Sequence, residues 1–200
     1  MDMESVDRLM KQAVDKGIFP GAVLLVSSES AVVFLRAYGL AHMYEKVPVT
    51  TETVFDLASL TKPLATTLAV MHLVQNRRIS VEDSLGDLVP DFQGNAKARV
   101  RLKHSLYHNS GLPDYRPYYR KLSKIPMDSR RAALRQFLVT EPLIQPCGEK
   151  VLYSDLGFMI LAWVVEKITD LPLGRYVSQN HYQRMGLEKL FFFPSLTPIP

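Results

Sequence analysis

A serine and a lysine lie three residues apart in the stretch Phe55-Asp56-Leu57-Ala58-Ser59-Leu60-Thr61-Lys62-Pro63-Leu64-Ala65-Thr66-Thr67. On a helix, residues spaced i and i+3 share a face. A serine hydroxyl is a poor nucleophile until a neighbouring base takes its proton. A lysine amine is such a base when burial or nearby cations lower its pKa. Pro63 is tolerated only in the first turn of a helix, so the helix must begin close to Ser59. The N–H groups of that first turn supply positive potential where an oxyanion would form. An isolated S-x-x-K equally describes a capping serine and a solvated lysine, so the chemistry must rest on further motifs.

A second group of residues is Tyr153-Ser154-Asp155, followed at once by Leu156-Gly157-Phe158. A tyrosine at the mouth of a buried helix can relay a proton between Ser59 and a leaving group. The structural alternative is that Ser154 or Asp155 caps the helix while Tyr153 packs, and the two roles are compatible. His108-Asn109-Ser110-Gly111-Leu112-Pro113 reads as a turn that braces the cleft. His104 and His108 are spaced i and i+4, but no acidic third ligand or H-E-x-x-H pattern accompanies them, so no metal or other cofactor is expected. The absence of G-x-S-x-G disfavours a Ser-His-Asp hydrolase.

The elements that must position these residues follow from periodicity and punctuation. Val6, Leu9, Met10, Ala13 and Val14 predict an amphipathic helix over 3–16, stopped by Gly17. Ala22–Val26 and Ala31–Leu35 predict a β-hairpin joined through Ser27–Ser30, although the turn lacks an Asn-Gly signal. Residues 39–55 read as a loop ending in a short strand near Thr53–Phe55. The nucleophile helix spans about 59–76, apolar nearly all round, as suits a helix inside a core. Ser80-Val81-Glu82-Asp83 has the shape of a helix start, and Pro90 ends the short helix that follows. A short helix spans Leu102–His108, and Asp114–Pro126 is irregular. Asp128 or Ser129 caps a helix through about Val139. Buried helices follow over 156–168 and 173–185, the latter closed by Gly186, and an apolar tail begins at Phe191. Four segments result: a helix and hairpin at 1–56, the nucleophile helix at 57–78, a helical subdomain at 79–175 and a tail at 176–200.

Composition narrows the class. With 47% hydrophobic and 22% charged residues, 200 residues can fill a sizeable core. A single cysteine, Cys147, excludes an internal disulfide and a cysteine-based metal cluster. The acidic N-terminus lacks a signal-peptide core, and no stretch has 18 uninterrupted apolar residues. A cytoplasmic protein without a membrane span is therefore expected. Residues 97–135 carry eleven Lys/Arg against two Asp/Glu, so positive charge is concentrated there while the rest of the chain is net negative. That pattern predicts a basic face, and no nucleic-acid motif accompanies it, so no nucleic-acid partner is expected.

Together the motifs resemble the serine β-lactamase and penicillin-binding-protein superfamily, most of all its class C β-lactamase and EstB-type esterase branch. The resemblance is carried by Phe55–Pro63, by Leu106-Tyr107-His108-Asn109-Ser110-Gly111-Leu112-Pro113, and by Gly148-Glu149-Lys150-Val151-Leu152-Tyr153-Ser154-Asp155-Leu156-Gly157, in the family's order and spacing. It spans about residues 5–195. It implies an α+β fold, an antiparallel sheet covered by helices plus a helical subdomain, with the active site between them. It also implies that Ser59 is acylated, that Lys62 is its base partner, and that Tyr153 is the second acid/base.

Three departures from the family pattern matter. The family's Lys- or His-Thr-Gly strand does not follow Tyr153, and the chain ends about halfway along a family domain. A truncated chain is therefore expected, lacking an oxyanion donor worth ~10²–10³ in rate and leaving the hairpin edge open to self-association. Asp155 stands where class C enzymes carry Asn. A carboxylate there favours the protonated form of Lys62 and cannot donate to an amide, which points to simple esters over β-lactams. Cys147 stands where relatives more usually have proline, and reads as a small loop residue. The expected activity is a serine hydrolase acting on a small ester, amide or peptide substrate through an acyl-enzyme. The alternative is a non-catalytic or inactive relative that binds a peptide-like ligand, with Asp155 as a binding residue in either case.

Overall fold

The computed structural model describes residues 2–192. The tail that the sequence marks as apolar falls largely outside the described residues. The chain divides into two compact units, Met1–Asp56 and Leu57–Pro200. The fold class is α+β, with helices accompanied by a three-stranded antiparallel sheet of order β1-β2-β3.

In the first unit, helix α1 (Met3–Asp15) starts at Asp2, whose carboxylate accepts from the Glu4 N–H at 2.9 Å. It ends before Gly17, which takes a positive φ of 67°. Strands β1 (Gly21–Ser28) and β2 (Ala31–His42) form the predicted hairpin. The turn is made by Glu29 and Ser30, both at positive φ, the geometry that Asn-Gly usually supplies. Among the described residues the far edge of β1 is unpaired. Asp7 ties α1 to β2: its carboxylate accepts from Tyr38 Oη at 2.9 Å and pairs with Lys11 and Arg36. These donors, Lys11 foremost, hold its pKa down at about 2. Gly39 must be glycine, because its φ is +69° and a Cβ would lie 2.2 Å from the Pro20 carbonyl oxygen.

The strand expected near Thr53–Phe55 does not form. Thr53 Oγ1 accepts from the Thr50 N–H, and the Thr53 N–H donates to the Thr50 carbonyl, so the segment closes on itself as a turn. The third strand is instead β3 (Val47–Pro48), paired with the end of β2.

The second unit is helical. Its core gathers Ala65, Ala69, Val70 and Leu73 with Phe92, Leu102, Leu138, Ile160, Leu161, Trp163, Val164 and Val177, all buried. The nucleophile helix opens as a 3₁₀ turn (Ala58–Leu60) and a π-type turn (Lys62–Thr67), and continues as α2 (Leu68–Gln75). It is not apolar-packed all round. Leu60, Leu64 and Met71 are exposed, and burial falls on the sides that meet α7 (Asp155–Thr169) and the helix at Leu173–Val177.

Ser80–Asp83 is a turn, locked by the Ser80 N–H on Asp83 Oδ2 at 2.7 Å, rather than a helix start. The short helix α3 (Leu85–Leu88) is capped by Ser84, and Pro90 opens a 3₁₀ turn at Pro90–Phe92. Helix α4 spans Leu102–Leu106, and α5 (Tyr118–Leu122) forms inside the segment expected to be irregular. Helix α6 (Met127–Thr140) follows Pro126, so Asp128 and Ser129 lie inside its first turn and neither caps it. Helix α8 (Leu173–Val177) continues through π and 3₁₀ turns to Gly186, the predicted stop. No helix among the described residues is long and apolar enough to cross a membrane.

Candidate active site

Ser59 sits in the opening 3₁₀ turn, directly after Ala58, which takes a φ of 43°. Left-handed backbone at a residue with a Cβ costs on the order of 1–3 kcal/mol, and such strain gathers at functional sites. Lys62 follows as the first residue of the π-type turn, with Pro63 next. The spacing does what the sequence requires of it, since Lys62 Nζ donates to Ser59 Oγ at 3.2 Å.

The same ammonium donates to Asp155 Oδ1 at 2.6 Å. Lys62 is the more enclosed partner, its side chain 14% exposed against 34% for Asp155. Burial by itself pushes the Lys62 pKa down, but the Asp155 carboxylate and the Tyr153 phenol outweigh it, and the net shift is upward. Lys62 is thus held as an ammonium, as the presence of Asp155 at that position predicts.

Tyr153 completes the group. Its ring stands 4.7 Å from Lys62 Nζ, measured to the centroid, and Phe158 provides a second ring at 5.9 Å. The phenol pKa is lowered, first by its hydrogen bond with Lys62 and then by that with Ser59. The structure therefore brings Ser59, Lys62, Tyr153 and Asp155 together. It also ranks their protons: the amine keeps its own, and the phenol yields its more readily than usual.

What holds Tyr153 is the His108–Pro113 turn. The His108 carbonyl accepts from the Leu152 N–H at 2.7 Å, and His108 Nδ1 accepts from the Ser154 N–H at 2.9 Å. The imidazole stacks on the Tyr153 ring at 4.5 Å between centroids. Burial first, and the Lys62 charge second, push the His108 pKa down, which preserves the lone pair that Ser154 needs. Ser154 caps α7, accepting from the Gly157 N–H at 3.2 Å while its hydroxyl donates to the Pro113 carbonyl at 2.6 Å. The sequence marks His108 only as part of a turn. Its role as a platform is a contact across 45 residues, for which spacing offers no signal.

Gly111 fixes the turn against the following segment. Its φ is +83°, its carbonyl accepts from the Ile144 N–H, and a Cβ would lie 2.3 Å from the Gln145 carbonyl oxygen. Gly111→Ala is expected to cost about 2 kcal/mol or more in denaturant unfolding. An unchanged midpoint would show that the turn yields freely. Nearby, His104 Nδ1 accepts from the Arg101 N–H at 3.1 Å and lies 3.0 Å from Cys147 Sγ. Burial raises the Cys147 thiol, so it stays protonated rather than becoming a reactive thiolate.

The chain is similar to several known proteins. The family model described as Beta-lactamase matches residues 6–198. A "Putative D-alanyl-D-alanine carboxypeptidase" of Salmonella agona (strain SL483) is 32% identical over 96% of this chain and 48% of its own length. The "N-acetylmuramyl-L-alanine amidase" of Bacillus subtilis (strain 168) is also 32% identical, over 96% of this chain and 46% of its own. Among solved structures, a penicillin binding protein from Bacillus halodurans superposes with a TM-score of 0.75 at 27% identity, covering 94% of this chain and 58% of that one. The chain spans about half the length of the curated relatives it matches.

Proposed function

We propose, from the premise that the chain belongs to the Beta-lactamase family, that it is part of a serine hydrolase working through an acyl-enzyme on Ser59. The observation that carries this reading is one ammonium, Lys62 Nζ, lying 3.2 Å from Ser59 Oγ and 2.6 Å from Asp155 Oδ1. The Asp155 pairing moves the role of base away from Lys62 and onto Tyr153. The phenolate takes the Ser59 proton, and Ser59 Oγ attacks the substrate carbonyl carbon. The carbonyl π electrons move onto oxygen, near the first-turn N–H groups of the nucleophile helix. As the oxyanion collapses, the bond to the leaving group breaks and Tyr153 returns the proton to it. Water then cleaves the Ser59 ester by the same steps in reverse. Lys62 stays charged throughout and keeps the phenol acidic.

The substrate class proposed is a small ester, amide or peptide, with esters preferred over β-lactams. Asp155 supports that preference, because its carboxylate accepts from Lys62 and has no N–H to donate to an amide carbonyl. Asp155→Asn is expected to raise the rate of cephalosporin hydrolysis relative to p-nitrophenyl acetate hydrolysis by roughly tenfold, the worth of one added hydrogen bond. Parallel steady-state assays of the two substrates give the ratio. A ratio that stays constant, or a wild-type protein that prefers the cephalosporin, overturns the ester assignment. A second reading, a relative that binds a peptide-like ligand without turning it over, draws on the same salt bridge, since a pinned ammonium cannot serve as a base.

A further inference from the structure

Beside the nucleophile helix lies a pair of imidazoles that the mechanism above does not use. His72 is on α2, and His181 is in the π-type turn Ser178–Tyr182 that continues α8. Their rings meet edge to face, 4.8 Å between centroids and 78° between planes. His72 Nδ1 lies 2.8 Å from Tyr176 Oη. Burial raises the Tyr176 pKa, so the phenol keeps its proton and donates it to the lone pair of neutral His72. His181 Nε2 is buried and has no hydrogen-bond partner among the described residues.

Neither ring has a place ready for a second proton. On His72 it would displace the Tyr176 bond, and on His181 it would leave a charged N–H buried without an acceptor. His181 is faced by His72 from α2 and by Arg184 from the 3₁₀ turn Gln183–Met185, while Arg78, just past α2, bears on Tyr176. Burial first, then His72 and Arg184, hold the His181 pKa below its ordinary value of 6.5. Such a base binds fewer protons folded than unfolded. Its contribution to stability is therefore whole above the ordinary value and is lost as pH falls from there toward the lowered one.

The same turn is fastened to the acylation site. Tyr182, next to His181 and buried, donates from Oη to the Leu64 carbonyl at 2.8 Å. Leu64 lies in the π-type turn Lys62–Thr67 that carries Lys62, and His72 lies further along the same helix. Both ends of the Tyr182–Leu64 link thus sit on backbone that departs from the ordinary α-helical ladder.

We infer that His72 and His181 form an acid-sensitive latch on the nucleophile helix: protonating the pair frees the 178–182 turn, withdraws Tyr182 from Leu64 and loosens the turn that carries Lys62. The consequence for catalysis rests on the acyl-enzyme reading, whereas the latch is tested without it.

The test is hydrogen exchange of the whole chain, read by mass spectrometry and corrected for the intrinsic pH dependence of exchange. It is run at about pH 7.5 and about pH 5.5, either side of the ordinary histidine value. The expected result is a several-fold loss of protection over residues 62–68 and 176–186 at the lower pH, while β1 keeps its protection. The ceiling is about tenfold per histidine, because a freed imidazole is then about ten times more protonated than neutral. His104 and His108 shift in the same direction, so the pair is isolated by variants rather than by the wild-type protein alone. His72→Gln combined with His181→Gln abolishes the pH dependence over both segments. Tyr182→Phe keeps it over 176–186 and removes it over 62–68. Protection that does not change with pH, or an acid loss that persists in the glutamine variant, overturns the latch. If the glutamine variant does not fold, the imidazole NMR resonances of wild-type protein decide: His181 titrating below its ordinary value supports the latch, and at or above it overturns the latch. Acylation of wild-type protein at neutral pH is scored separately. Its failure would count against Ser59 as the nucleophile and leave the latch to be decided by the exchange data.

Discussion

Replacing Tyr153 by phenylalanine is expected to slow acylation of Ser59 by about 10²–10⁴-fold, the usual worth of a positioned proton acceptor. The substitution keeps the ring that stacks on His108 at 4.5 Å and faces Lys62, so the fold should survive it. What is lost is a phenol facing Ser59 whose pKa the site lowers, while that of Lys62 is raised. The pH dependence gives the same test in another form. Because the phenol titrates below its usual value, acylation by wild-type protein should climb with pH on a limb set by Tyr153 and level off once the phenolate is formed. In Tyr153→Phe that limb disappears. Stopped-flow release of p-nitrophenol from p-nitrophenyl acetate over a pH series reads both effects. A phenylalanine variant that keeps the wild-type rate and the wild-type limb would return the role of base to Lys62.

Lys62→Met is expected to lower acylation by about 10²–10³-fold, the scale of removing one preorganised electrostatic contact. The methionine fills much of the same volume but ends the hydrogen bonds to Ser59 Oγ and Asp155 Oδ1. Without the ammonium the Tyr153 phenol loses the largest influence lowering its pKa, so whatever activity remains should need a higher pH. The variant also leaves the Asp155 carboxylate without its partner, and the melting temperature should fall. Lys62→Met combined with Asp155→Asn should recover the melting temperature without recovering acylation. Recovery of both would mean that Lys62 acts only through the stability of the site.

The proximity of Ser59 and Lys62 is more legible in the sequence than the architecture around it. Ser59 and Lys62 were legible because helical spacing alone puts them side by side, and Pro63 leaves little choice about where the helix begins. The upward shift of Lys62 is legible too, since a carboxylate at position 155 favours the protonated amine. His108 was not, because its stacking on Tyr153 and its bond to the Ser154 N–H join segments distant in sequence. Nor was α5, because a helix of five residues is too short to show a period. The third strand was misplaced for a local reason, since the Thr50–Thr53 hydroxyl bonds offer the backbone a turn in place of a ladder. The exposed flank of the nucleophile helix is not legible because Leu60, Leu64 and Met71 are core residues by type.

The family match over residues 6–198 places this chain among proteins about twice its length, while the four groups of the site all lie within its second unit. Chemistry at Ser59 can therefore be asked of the protein directly. The most direct measurement is peptide mapping by mass spectrometry after treatment of the folded protein with a fluorophosphonate. The predicted result is one adduct per chain on the peptide containing Ser59, absent from Ser59→Ala and formed far more slowly in Tyr153→Phe. Folded protein that takes up no adduct, or that carries it on another residue and keeps it in Ser59→Ala, would contradict the account.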